Sequence, residues 1–264
     1  MKILALDFDG VIFDSAPECF WVATRTLQRV EPSEDRGRRL SVWDELPPRE
    51  VRANLIADPA FSVFIELMPL GNRAEDFGVS LLAFEAGVRP GDQRAYDRYF
   101  DSLDPAFASG FHANFYNERA KLRAENPERW GDLMRPFQGL VDVLRKRRSE
   151  ALFVVATAKD GESVAKLLAR FDIADLFEKD GIFEKERGRD KRAHLRAIKE
   201  QFQVDFAEIS FVDDKVNHLI GVSGLGVRSF LASWGYNGLR ECDVAAANGI
   251  GVCGLEQIEE VLFS

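Results

Sequence analysis

Two aspartates one residue apart, Asp7 and Asp9, close the short apolar run Ile3-Leu4-Ala5-Leu6 and stand just ahead of Gly10. On an extended chain successive side chains point to opposite faces, so Asp7 and Asp9 project to one side and Phe8 to the other. Like charges about 4 Å apart repel by roughly 4 kcal/mol at an effective dielectric near 20. A hard cation that prefers oxygen ligands, such as Mg²⁺, removes that repulsion. The same acids also serve as an ordinary strand-to-helix turn, so the pair alone does not decide between chemistry and capping. Two further apolar runs end in polar groups: Ala151–Ala156 in Thr157, and Ile209–Val212 in Asp213-Asp214.

Elements that could bring these three ends together are readable along the chain. Short continuous apolar runs of this kind read as parallel strands buried on both faces, here Ile3–Leu6, Ala151–Ala156, Ile209–Val212 and Val227–Leu231. Helical patterns over Gly139–Arg147, Gly161–Phe171 and Asp190–Phe202 alternate with them, which predicts a parallel sheet covered on both sides. In such a sheet the carboxyl ends of the strands share one edge, and ligands bind there. Between Ser15 and Arg135 strand signals nearly vanish. Helices are expected over Ala16–Val30, Arg49–Ile56, Ala60–Met68, Asn72–Ala86, Asp92–Ser102 and Pro105–Ala124. Breaks at Pro59, Pro69–Gly71, Pro90–Gly91 and Asp104–Pro105 separate them. Glu31–Pro48, charged and holding three prolines, is expected to contain an exposed loop. The predicted organisation is an α/β core, 1–14 plus 136–264, with an all-helical module, 15–135, inserted after the first acidic strand end.

Composition narrows the function classes. The chain has 264 residues, of which 46% are hydrophobic, enough for a sizeable core. A net charge of −9 argues against a general nucleic-acid backbone binder. No stretch approaches the roughly 20 apolar residues of a membrane span, so no membrane partner is expected. Cys19, Cys242 and Cys253 lack CxxC spacing and read as reduced, buried thiols, and three histidines make a multi-histidine zinc site a poor reading. A cytoplasmic, water-soluble protein is expected.

Taken together, the strand ends resemble the motifs of the haloacid dehalogenase superfamily of phosphatases and phosphotransferases. Asp7-Phe8-Asp9-Gly10-Val11-Ile12-Phe13-Asp14-Ser15 is similar to its first motif, Thr157 to its second, a lysine at a helix start to its third, and Asp213-Asp214 to its fourth. Pro136-Phe137-Gln138-Gly139-Leu140 resembles the re-entry into the core, and the insertion matches a C1-type cap in position and helical character. The resemblance implies a Rossmann-like core with an inserted helical cap, and a Mg²⁺-dependent phosphatase of a small phosphorylated metabolite. It implies that Asp7 attacks phosphorus to form an aspartyl-phosphate. Asp9 protonates the leaving alkoxide, activates water, and offers its backbone carbonyl to the metal. Asp9 also argues against dehalogenation, a branch that lacks this second acid. Gly10 lets the backbone approach the phosphate, and Thr157 with the backbone N–H of Ala158 would bind its oxygens.

For the third motif Lys191 is the first choice, because it opens a helix behind the N-cap Asp190 and adds a cation to a site that favours anions. Lys185 and Lys179 compete, and Lys159 reads as a surface residue. Aligned on Phe211-Val212, Asp214 takes the direct metal position and Asp213 acts directly or through water. His218 stands where the family often has a second acid; it either orients Asp213 or Asp214 or packs on its helix, and Asn217 is a neighbouring polar candidate. Thr157 has the competing reading of a helix N-cap. Trp234-Gly235-Tyr236 either closes over the active edge or packs on the helix at Leu255–Leu262. In the insertion, Phe111, His112, Phe115 and Tyr116 either line a substrate pocket or pack as core, the reading that an aromatic stripe at helical spacing favours, and the insertion is expected to select among leaving groups. The clusters Arg36–Arg39 and Arg145–Arg148 read as solvated. A phosphomutase of the same fold and a non-catalytic binding module are the alternatives. A phosphonatase would need a cap lysine, and Lys121 is the one lysine of the insertion.

Overall fold

The structure, a computed structural model, describes residues 2–71, 73–184, 187–188 and 190–263. Among the described residues eight strands are formed: β1 Ile3–Leu6, β2 Phe13–Asp14, β3 Arg135–Pro136, β4 Leu152–Ala156, β5 Ile182–Phe183, β6 Ile209–Asp213, β7 Arg228–Ala232 and β8 Gly251–Cys253. Six of them make one sheet in the order β5-β4-β1-β6-β7-β8, and every pairing in it is parallel. β2 and β3 form a separate antiparallel pair. The chain divides into two compact units, 1–14 with 135–264, and 15–134.

The α/β unit follows from strands that are apolar on both faces. Ile3 to Leu6 and Phe153 to Ala156 are fully buried, as are Phe211 and Val212. Helices α9 Gln138–Arg147, α10 Gly161–Arg170, α11 Lys191–Phe202, α12 Val216–Val222, α13 Leu239–Ala247 and α14 Ile258–Phe263 belong to this unit. Leu195 and Ile198 of α11, Leu219 and Val222 of α12 and Ala245 of α13 join the strand residues in one apolar core. Strands β5 and β8 went unread because two and three residues are too few to show a period.

The inserted unit is helical throughout: α1 Ala16–Val30, α2 Glu34–Glu45, α3 Pro48–Ala57, α4 Pro59–Leu67, α5 Ala74–Glu85, α6 Gln93–Asp101, α7 Pro105–Glu125 and α8 Pro127–Asp132. Pro48, Pro59, Pro105 and Pro127 stand in first turns, where a missing N–H is harmless. A chain of ring contacts runs from Phe20 through Phe64 and Phe77 to Phe115 at centroid spacings of 5.4 Å. Phe111 and Phe115 are buried in α7, while Tyr116 is exposed and His112 meets Glu75 at 2.8 Å. The loop expected within 31–48 is corrected to its two ends, 31–33 and 46–47: α2 occupies the residues between them, with Pro32 ahead of its N-cap Ser33 and Pro47 past its C-cap. Tertiary burial of Leu40 and Trp43 overrides the polar sequence there. Arg36, read as solvated, is buried in the same helix and paired with Glu85 at 2.7 Å. Among the described residues no single helix is long and apolar enough to cross a membrane.

Candidate active site

Sheet register sets the site. Leu6 is paired with Val155 on one side and Val212 on the other, so the next residue of each strand, Asp7, Ala156 and Asp213, forms one row. The Asp7 N–H still donates to the Val212 carbonyl at 2.9 Å, holding this row together as the strands end. Lys191 enters from the first turn of α11. Its predecessor Asp190 caps that helix by accepting from the Ala193 N–H at 2.8 Å, which leaves Lys191 free to turn inward. The Lys191 ammonium is buried and donates to Asp7 Oδ1 at 2.7 Å, to Asp213 Oδ2 at 3.1 Å and to the Ala156 carbonyl at 2.7 Å. Three donors meet three acceptors, one from each member of the row.

Asp214 lies one step further on and is held differently. Its Oδ2 accepts from the Tyr236 N–H at 2.9 Å. The Asn237 side-chain amide donates to the Asp214 carbonyl at 3.0 Å, the Tyr236 hydroxyl to Asp14 Oδ1 at 3.0 Å, and the Trp234 indole to the Val11 carbonyl at 3.0 Å. The Trp234–Asn237 segment thus ties the first acidic turn to Asp214 at the end of β6, the first of its two sequence readings. Glycine is required at both contacts. A Cβ on Gly10, whose φ is +83°, would stand 2.4 Å from Asp214 Oδ2, and one on Gly235 would stand 2.5 Å from the Gly10 carbonyl.

Asp9 is half-exposed and faces Lys159, whose ammonium lies 3.1 Å from its Oδ1. Only 6% of that lysine side chain is exposed, so reading Lys159 as a surface residue was wrong. No local sequence signal marks the pair, because its members are 150 residues apart in the chain. Thr157 is buried, and its Oγ1 accepts from the Lys159 N–H at 3.1 Å. The helix-capping alternative for Thr157 falls away, since Asp160 caps α10 by accepting from the Ser163 N–H. Ala158 is exposed beside it. Of the competing residues, Lys179 and Asn217 are exposed, and Lys185 lies outside the described residues.

The electrostatics separate the three buried acids. Burial raises the Asp7 carboxyl to about 6 despite Lys191, and burial raises Asp214 to about 7, with Lys215 only partly offsetting it. Burial pushes Asp213 the same way, but Lys191 and His218 more than compensate and hold it below the usual carboxylate range. His218 Nδ1 sits 3.1 Å from Asp213 Oδ2, and that charge raises the imidazole against its own burial. Asp213 therefore has its positive partners already, while Asp7 and Asp214 are short of positive charge. A divalent cation supplies what these two lack, and an all-oxygen donor set suits Mg²⁺. Carboxylate oxygens of Asp7 and Asp213 also lie within 4.8 Å of each other. The residues present fit such an ion.

A family model described as "Hydrolase: haloacid dehalogenase-like hydrolase" matches residues 1–226. No curated protein matches the sequence. Among solved structures, a predicted phosphoglycolate phosphatase from Haemophilus somnus is 16% identical over 99% of this chain and 97% of its own, with a TM-score of 0.63. A haloacid dehalogenase-like family hydrolase from Streptococcus pneumoniae is 12% identical over 99% and 97%, at 0.62. A protein from Thermotoga maritima provisionally named a beta-phosphoglucomutase is 17% identical over 99% and 98%, at 0.56. At such identities the likeness is one of fold.

Proposed function

The chain belongs to the haloacid dehalogenase-like hydrolase family, and from that premise we propose that it hydrolyses a small phosphate monoester through an aspartyl-phosphate on Asp7. The observation that carries the reading is the row Asp7, Ala156, Asp213 bridged by the buried Lys191 ammonium. Lys191 fixes the Asp7 carboxylate through Oδ1, and the Phe8 N–H donates to that same oxygen at 2.7 Å. Asp7 then displaces the alkoxide from phosphorus, splitting one hard hydrolysis into two displacements. Asp9 gives the leaving oxygen its proton and afterwards takes one from the attacking water. Lys159 holds Asp9 in place between these roles. Thr157 presents its hydroxyl proton to a phosphoryl oxygen, its acceptor side being taken by the Lys159 N–H.

Asp7, Asp214 and the backbone carbonyl of Asp9 would hold a Mg²⁺ ion, with Asp213 beside them. Bound there, it would neutralise the negative charge of the phosphate against that of the attacking carboxylate. The inserted helical unit is on this reading the cap that selects among leaving groups. The test is phosphate release from a panel of small phosphate monoesters, with and without Mg²⁺. Turnover that requires Mg²⁺ and is lost in Asp7→Asn is the expected result. Silence across the panel by folded, Mg²⁺-loaded protein would sink it.

A further inference from the structure

Within the inserted unit, α1, α2, α7 and α8 enclose a cavity of about 240 Å³ lined by Trp21, Arg25, Glu118, Lys121 and Arg129. Two buried donors on its wall have no hydrogen-bond partner among the described residues: the Trp21 indole N–H and the Arg129 Nε–H. Trp21 itself is 1% exposed. Buried polar hydrogens of this kind call for an acceptor. The charges around the cavity say which kind. Asp44 holds Arg25 through two contacts of 2.8 and 3.0 Å, and Glu118 is taken by Arg29. Arg129 reaches only backbone carbonyls, those of Asp44 and Leu46, and its guanidinium lies 5.5 Å from the Trp21 ring centroid. Among the described residues neither Arg129 nor Lys121 has a carboxylate partner, and the one uncommitted acid on the lining is Glu125. The lining carries three basic and three acidic side chains, and because Arg29 from outside it takes Glu118 while Arg25 holds Asp44, Arg129 and Lys121 are left facing Glu125 alone.

We propose that this cavity binds a small oxyanion, whose oxygens accept from the Trp21 indole and Arg129 Nε–H and whose charge is met by Arg129 and Lys121. A water molecule could take one of these hydrogens but would leave the guanidinium uncompensated. The volume suits inorganic phosphate or a short carboxylate. Bound there, the anion would link α1 to α8, and through the carbonyls that Arg129 holds, to the end of α2.

Indole ¹⁵N–¹H spectra of the full chain provide the test, because only four tryptophans contribute and Trp21→Phe assigns the signal of interest. Inorganic phosphate and acetate are titrated separately, against chloride as the ionic-strength control. A saturable shift of the Trp21 signal is expected, weakened about tenfold or more in Arg129→Gln and by a smaller factor in Lys121→Gln, whose exposed side chain makes it safe for folding. A response to phosphate alone or to acetate alone names the source of the oxyanion. A Trp21 signal that stays put across the millimolar range, moves equally with chloride, or titrates unchanged in both variants overturns the proposal. The readout does not involve turnover, so its failure leaves the reading of the catalytic row untouched.

Discussion

Glu18 in the inserted unit and Asp7 in the α/β unit are both buried carboxylates, yet their surroundings are opposite in kind. Glu18 takes two bonds from Arg119, at 2.8 and 2.7 Å, and a third from the Trp130 indole at 3.2 Å. Nearby in the same unit, Asp76 accepts from the Tyr96 hydroxyl and the Arg73 N–H. These acids are answered one for one. In the α/β unit Asp7 and Asp213 share a single ammonium, and Asp214 has no side-chain cation within ion-pair distance among the described residues. A buried acid that is fully answered holds helices together. One left short of positive charge is poised for a cation or a phosphate, and burial without compensation is how sites of this type raise their carboxyls.

The sharpest way to break that contrast is to remove one carboxylate from each side. Asp7→Asn is expected to abolish phosphate release, since an amide cannot serve as the nucleophile. Its melting temperature without Mg²⁺ should match or exceed that of the wild type, because the substitution removes a charge that burial disfavours. Asp9→Asn should slow turnover by roughly 10²–10⁴, the usual contribution of a positioned acid or base. Glu18→Ala should do the reverse, lowering urea stability by about 3–5 kcal/mol, the typical result of leaving one member of a buried pair alone. A stable Glu18→Ala, or an Asp7→Asn that unfolds, would erase the distinction between the two kinds of acid.

A finer contrast lies inside the α/β unit, between Asp213 and Asp214. Asp213 has Lys191, His218 and the Lys215 N–H, whereas the Asp214 carboxylate has the Tyr236 N–H and little positive charge. Removing Asp214 should raise the Mg²⁺ concentration needed for half-maximal activity more than removing Asp213 does. Asp213→Ala should instead loosen Lys191, and its loss should appear in the rate at saturating Mg²⁺. The opposite ordering in a Mg²⁺ titration would exchange the two roles.

The core of this arrangement was legible because it is local. Apolar runs of four or five residues marked β1, β4 and β6, and the register aligns Asp7 and Asp213 with Ala156, one residue ahead of Thr157. Lys191 was legible through its N-cap. What escaped reading depends on partners distant in the chain. Lys159 is an ordinary loop lysine until Asp9 is folded against it, and Arg36 is one of a charged cluster until Glu85 meets it. Helix α2 hides behind flanking prolines because its reason to form is the burial of Leu40 and Trp43, the latter 5.7 Å from the Phe20 ring. The Trp234–Asn237 strap could be flagged by its residue types but not aimed.

The smallest expected effect tests the missing charge directly, through the coupling of protons to Mg²⁺. Asp7 and Asp214 have folded-state values of about 6 and about 7, above the 3.8 of an unperturbed aspartate. A group raised in this way adds stability that is complete below its unfolded value and is lost as pH climbs through the folded one. Metal-free protein should therefore lose this contribution between about pH 4 and pH 7, where the folded state binds more protons than the unfolded. Asp213 is shifted the other way, so its own contribution changes only in more acidic solution and is constant across that window. His218 is raised and loses its contribution as pH rises, whereas His194, lowered mainly by burial, gains, so total stability mixes several groups. The difference between melts with and without Mg²⁺ isolates the site, since the ion must displace whatever protons Asp7 and Asp214 hold. The stabilisation by Mg²⁺, read from the rise in melting temperature, should be small near about pH 5 and larger near about pH 8, its free energy growing by up to about 1.4 kcal/mol per pH unit for each proton displaced. An increment that is equal at both ends would mean that the ion and the protons do not compete, and that the charge these carboxylates lack is supplied some other way.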